Sequence, residues 1–321
     1  MFRTSAPRVS IIIASYATTR RQAELLDETL STVGTQTCQD FECIVVDDGS
    51  PVDVRQIATR HPRTITIRQE NAGPAVARNT GIHAARGDHF VFLDADDHLL
   101  PVALEAGLAT LDSHPECGFV VGGREEMTYD GGAVPWSVPA SPQETDLYHI
   151  LLGFDWYIIP PSSVMFRRDV VETIGPWRDP WGADDLDYYL RAARAYRGRC
   201  FDDLAVTRYR RYAESSSRDG ARMLRSARAV YARQWPLVQS DPAAEAAYHR
   251  GLGKLTEIFR DCLAENLRDH LRNGNTRRAL ACAALLARES PQRLRAEARR
   301  ALRFTSSSSA GSQELDPSTS A

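Results

Sequence analysis

The chain has 321 residues, 43% hydrophobic and 25% charged, with a formal net charge of −3. This is ordinary globular composition with enough apolar material for a real core. The length suits one large α/β domain with an appendage, or two ordinary domains. The charge balance gives no reason to expect a nucleic-acid partner. The six scattered cysteines include no C-x-x-C pair, which argues against a zinc site and for reduced thiols. No apolar run is long enough for a signal segment or a membrane span, so a soluble cytoplasmic chain is expected.

In chain order, VSIIIA (9–14) reads as a buried strand, and helical spacing follows through Leu25, Leu26, Thr29, Leu30 and Val33. FECIVV (41–46) is a second strand, 52–60 a short helix and TITIR (64–68) a third strand. GPAVARNTGIHAAR (73–86) reads as a helix with Pro74 in its first turn. HFVFLD (89–94) is a fourth strand and 101–113 a fourth helix. Strands alternating with helices at this spacing predict βαβ units and a mostly parallel sheet covered on both faces. Beyond Cys117 the rhythm changes. Strands are expected at 118–123, 162–168 and 204–210, a Gly-, Pro- and Ser-rich loop at 130–145, and an amphipathic helix at 184–196. Residues from about 220 to 303 are helical in pattern and rich in Arg and Ala, and the polar end is expected to be disordered.

Two strands run straight into carboxylates: VVDDGS (45–50) and FLDADD (92–97). In an open parallel sheet, ligands bind beyond the carboxyl ends of the strands. Asp-Asp-Gly-Ser is also a good turn, and taken alone either reading serves. Asp94, Asp96 and Glu105 fall at positions 1, 3 and 12 of a calcium loop, but the sixth position needs glycine and has Leu99. Two clusters at strand ends in one βαβ array point to a ligand site. Crowded carboxylates call for a divalent cation, and hard oxygen donors suit Mg²⁺ or Mn²⁺ shared with phosphates. The P-loop and the Rossmann glycine fingerprint are both missing, so metal and arginine must meet any phosphate charge.

The blocks VSIIIASY, FECIVVDDGS, NAGPAVARNTGIHAARGDHFVFLDADD and WGADDLDYYLRAAR together resemble the family 2 glycosyltransferases, over about residues 8–217. The resemblance implies an α/β GT-A fold and a nucleotide-sugar-dependent, inverting enzyme, with a UDP-sugar the expected donor. Asp48 resembles the family's uracil-binding aspartate, and Ala14, Ser15 and Tyr16 would line the base pocket. Arg78 would sit near the nucleotide. Asp94 and Asp96 match the D-x-D pair: Asp96 as metal ligand, Asp94 contacting ribose or orienting its neighbours. Asp185 falls where the catalytic base is found, with Asp184 in place of the more usual glutamate and assigned to the acceptor side. A base must take the acceptor hydroxyl's proton. Three aspartates in one first turn would also simply complement the helix dipole.

One departure stands out. Many relatives carry a histidine near position 212, where this chain has Tyr212. Arg210 or Arg211, and Arg20 or Arg21, are candidates to neutralise phosphate instead. Trp136, Trp156, Tyr157, Trp177 and Trp181 are candidates to stack on an acceptor sugar, Trp181 foremost, although packing the core is the commoner fate of a tryptophan. The expected layout is a glycosyltransferase domain over 1–217, divided near 115 into nucleotide-sugar and acceptor halves. A helical extension over 218–303 and a tail over 304–321 follow. The extension could dock on the inner face of a membrane through its arginines, mediate dimerisation or cap the core. The expected acceptor is a glycan, lipid-linked or small-molecule hydroxyl, as in polysaccharide biosynthesis. The rival readings are a silent nucleotide-sugar-binding scaffold and a nucleotidyltransferase. The ASYATTRR segment after the first strand lacks the glycine-rich loop typical of the latter.

Overall fold

A computed structural model describes residues 6–135, 140–143, 145–156, 159–178, 182–212 and 215–309; Trp136, Tyr157 and Trp181 lie outside it. The chain forms two compact units. One comprises Met1–Ser215 with Ser226–Lys254, the other Ser216–Arg225 with Leu255–Ala321.

The first unit is built on a sheet whose described strands run in the order β3-β2-β1-β4-β8-β6-β9-β5, with β7 beside β6. The strands are β1 (Val9–Ser15), β2 (Phe41–Asp47), β3 (Thr64–Arg68), β4 (His89–Asp94), β5 (His98–Leu99), β6 (Cys117–Met127), β7 (Ala133–Val134), β8 (Val164–Arg167) and β9 (Arg197–Arg210). The first half, β3 to β4, is wholly parallel. Helices on both faces make its strands continuous apolar runs, and every residue of β2 is buried. The second half is mixed, because β8 runs antiparallel to both β4 and β6.

The helices explain how the strand ends are held. Helix α1 (Arg20–Gly34) starts at a capping box between Thr19 and Gln22 and buries Leu25, Leu26, Leu30 and Val33. Helix α2 (Arg55–Ala58) is a single turn, shorter than the sequence suggests. Helix α3 (Pro74–Ala84) follows Gly73 at φ 93°, with Pro74 in its first turn. Gly81 brings this helix down onto β1, since a Cβ there would lie 2.4 Å from Ile12 Cγ2. Then come α4 (Ala103–Ser113), α5 (Tyr148–Leu152), α6 (Arg168–Ile174) and α7 (Asp184–Ala195). Helices α8 (Gly220–Val238), α9 (Pro242–Arg272), α10 (Thr276–Glu289) and α11 (Pro291–Ser309) complete the chain.

The first unit reaches past residue 217 for a physical reason. The Tyr231 hydroxyl donates to the Leu152 carbonyl at 2.6 Å, and Gly251 leaves no room for a Cβ beside that carbonyl. Arg233 pairs with buried Asp187, while Arg250 and Lys254 pair with Asp155. In the second unit, Leu263, Ala264 and Leu267 of α9 pack with Ala279, Cys282 and Leu286 of α10. Helix α11 runs to Ser309, so the first six residues of the expected tail are helical. No helix among the described residues is long and apolar enough to cross a membrane.

Candidate active site

The carboxyl ends of β1, β2 and β4 lie side by side, because β1 pairs with both neighbours in register up to Ala14, Val46 and Asp94. At the end of β2 the two aspartates do different work. Asp47 is a turn residue: it accepts from the Ser50 amide at 2.9 Å and from Arg68. Asp48 organises the next loop. Its carboxylate accepts from Gln69 at 2.7 Å, the Ala72 amide at 2.9 Å and the Gly73 amide at 2.8 Å. Thr80 in turn donates to Gln69. Three donors leave one of the carboxylate's roughly four acceptor positions. Beside it, Ala14 is half-buried and Tyr16 is 48% exposed.

Arg78, buried on α3, joins the two halves of the domain. One guanidinium nitrogen meets Asp94 Oδ1 at 2.8 Å and the other meets Asp184 at the start of α7. Its planar face lies over the Trp177 ring at 4.5 Å. The next residue, Asn79, holds the same segment by its backbone, donating to the Trp177 carbonyl at 3.0 Å and accepting its amide at 2.8 Å. Burial works against the charge on Arg78, but Asp184 and Asp94 more than offset it and raise its pKa.

Helix α7 begins on strained backbone. Ala183, at its N-cap, has φ 34°, a left-handed conformation that a residue with a Cβ rarely adopts. The three aspartates that follow diverge. Asp184 is buried against Arg78. Asp187 is buried and bound by Arg191 and Arg233, a structural task. Asp185 is partly exposed and, among the described residues, accepts only from the Leu186 amide at 2.7 Å. Burial raises the pKa of Asp185, opposed by that amide and by Arg78. Burial pushes Asp184 up to about 7, with repulsion from Asp185 and Asp94 adding to it and Arg78 opposing it.

The loop after β4 gathers the second group. Asp96 Oδ2 accepts from the Tyr212 hydroxyl at 2.6 Å, and burial beside Asp94 pushes this carboxyl up to about 6. Asp97 is buried, accepts the Arg210 amide at 2.9 Å and leaves Oδ2 without a partner. Among the described residues no three His, Cys, Asp or Glu side chains form a metal cage. The donors present still fit Mg²⁺ or Mn²⁺: hard carboxylate oxygens at a strand end, one of them buried and unpartnered, with room for ligands from phosphates and water.

Two expectations need correction. Arg210 is not a free phosphate ligand. It is fully buried and donates to the Asp96 carbonyl at 2.7 Å, to Glu28 at 2.9 Å and to the Tyr129 carbonyl. It clamps the aspartate loop to α1. Arg211 pairs with Glu126, Arg21 with Glu28 and Arg20 with Glu24. Nor is Trp177 a sugar platform: it is buried, stacked on Tyr188 with ring centroids 4.1 Å apart. Sequence reasoning missed Gln69, Asn79, Tyr129 and Glu28 as site supports. Only Asn79 had a signal, as the residue after Arg78 in the ARN triplet.

Comparison with known proteins agrees with this geometry. The family described as Glycosyl transferase family 2 matches residues 10–175. The uncharacterised glycosyltransferase YwdF of Bacillus subtilis is 30% identical over 196 residues, 59% of this chain and 69% of that protein. A Haemophilus influenzae relative is 34% identical over 147 residues, and there the match spans only 48% of its length. The PGL/p-HBAD biosynthesis glycosyltransferase of Mycobacterium tuberculosis is 31% identical over 215 residues, 64% of this chain and 74% of that one. Among solved structures, residues 1–349 of Staphylococcus aureus TarS in complex with UDP-GlcNAc superpose with a TM-score of 0.57 at 16% identity, covering 89% of this chain and 92% of that 1–349 chain. The chain belongs to glycosyltransferase family 2, enzymes that use nucleotide-sugar donors, and has the GT-A fold.

Proposed function

We propose that the enzyme moves a sugar from a UDP-sugar to a hydroxyl of a glycan, lipid-linked or small-molecule acceptor, with inversion at the anomeric carbon. The observation that carries this is the Arg78 bridge: it places the Asp94–Asp96 strand end and the Asp184–Asp185 helix start around one guanidinium. Asp48 keeps one acceptor position for a base N–H, and exposed Tyr16 offers its ring beside it. The complex of TarS with UDP-GlcNAc supports uracil as that base. Asp96 is the proposed ligand of Mg²⁺ or Mn²⁺, oriented by the Tyr212 hydroxyl. When bound, the cation would stabilise charge growing on the departing diphosphate. Asp184 is spent on Arg78, so its role is to position that arginine and not to hold acceptor.

Asp185 is the proposed base. Its raised pKa favours proton uptake over that of an ordinary carboxylate, and its carboxylate is the least engaged of the three. The acceptor oxygen forms a bond to the anomeric carbon as the bond to UDP oxygen breaks. Its proton passes to Asp185, and UDP departs. The polysaccharide-forming role and cytoplasmic site of action belong to this same reading.

Calorimetric titration with UDP, GDP and dTDP, with and without Mn²⁺, tests it on wild type and Asp96→Ala. Metal-dependent binding of UDP, at least tenfold weaker in the variant, is expected. A folded protein that binds none of the three would overturn the reading.

A further inference from the structure

The second unit sorts its charges by face. Residues 276–300 contain seven arginines and only two acidic residues, Glu289 and Glu297. Both acids turn inward. Glu289 has a side chain only 5% exposed and lies near Arg260 of α9, while Glu297 pairs with Arg268 of α9 at 2.6 Å. Arg293 also turns inward, to Glu257 and Asp261. Helix α10 buries Ala279, Cys282 and Leu286, so at 100° per residue its opposite face carries Arg277, Ala281, Ala284 and Arg288. Helix α11 turns Arg293, Leu294 and Glu297 inward, so Arg295 and Arg299 stand opposite. Arg277, Arg278, Arg295, Arg299 and Arg300 are exposed and form no ion pair with described residues. Leu280 stands among them with 70% of its surface exposed, and Leu271, at the end of α9, is 56% exposed.

An arginine face without counter-charges is unfavourable in isolation and asks for an anionic partner. Exposed leucine on small alanines adds a second preference, for a partner that also accepts apolar side chains. A phosphodiester strand meets only the first condition. An anionic bilayer surface meets both: headgroups for the guanidinium groups and acyl chains for leucine. We propose that the outer face of α10 and α11 docks this enzyme on a membrane of anionic phospholipid. The inference is independent of the donor chemistry and sharpens where the reaction takes place.

The test is co-sedimentation of the full-length enzyme with vesicles. One set is phosphatidylcholine alone and the other contains phosphatidylglycerol, each at low and high salt. Wild type is expected to pellet with the anionic vesicles only, and to be released by salt. Arg295→Glu/Arg299→Glu should bind at least tenfold more weakly. Leu280→Ser should weaken binding less at low salt, by removing the apolar contribution while leaving the arginines in place. All three proteins should keep the same circular dichroism and UDP affinity, because these side chains are exposed. Four results would overturn the proposal: wild type staying in the supernatant, equal binding to both vesicles, no loss in the double variant, or tighter binding to RNA than to vesicles at the same salt. Intact binding with failed UDP titration would leave docking standing and remove only the transfer reading.

Discussion

Asp185 and Asp184 sit next to each other in sequence, yet the fold gives them opposite environments. Asp184 faces a guanidinium inside the protein, and Asp185 has one amide donor and an open side. That asymmetry predicts distinct variants. Asp185→Asn should lower kcat by about 10²- to 10⁴-fold, the usual worth of a positioned base, with UDP affinity within about twofold of wild type. Equal losses in kcat and in UDP binding would mean that Asp185 holds donor instead. The pH profile carries the same information. Because the Asp185 pKa is raised, activity should fall on acidification at a higher pH than an ordinary carboxylate would dictate. The acidic limb of kcat against pH checks this.

The elements of the parallel half were legible because their physics is local. Strands β1, β2 and β4 are apolar runs and β3 alternates Thr and Ile, all bounded by turn residues, and they fall at or within a residue of their expected bounds. The two-residue strands β5 and β7 and the short α5 carry too few residues for any period to show. Strand β9 begins at Arg197, seven residues before the apolar stretch, because RGRC (197–200) pairs with β6 through backbone that no side-chain pattern announces. The site divides the same way. Carboxylates at strand ends announce themselves, whereas Arg210 looks like a surface charge until β9 and α1 are brought together around it. Helix α3 offers a sharp element-level test. Gly81→Ala forces a methyl group against Ile12, and overpacking of this kind costs about 1–3 kcal/mol. Urea unfolding should register that loss, and UDP binding should weaken with it, since α3 also carries Arg78. An unchanged midpoint would mean that α3 can lift from the sheet without penalty.

At the scale of the whole molecule, the acidic cluster makes stability depend on pH in an unusual direction. Asp184 rises from 3.8 to about 7 on folding, so the native state binds the extra proton. Its contribution is therefore complete below pH 3.8 and is lost as pH rises through about 7. The ligand-free enzyme should melt at a higher temperature at pH 5.5 than at pH 8. Mn²⁺ with UDP should narrow that gap, because the proposed ligand Asp96 holds a metal as the carboxylate, the form favoured at pH 8. A ligand-free melting temperature that climbs steadily from pH 5.5 to 8 would contradict this assignment.

The clasp between α3 and the segment before α7 bears on how such enzymes can be recombined. Arg78 and Asn79 belong to the parallel half of the sheet domain, yet they hold Asp184 and Trp177, which follow β8 in the mixed half. A chimaera joined near residue 115, pairing this parallel half with a relative's mixed half, inherits one side of each contact from each parent. Exchange of halves between relatives is then a matter of matching two consecutive residues on one helix to the tryptophan and aspartate they grip. Grafts that respect this match keep the seam closed, and grafts that ignore it leave a guanidinium buried without its second carboxylate.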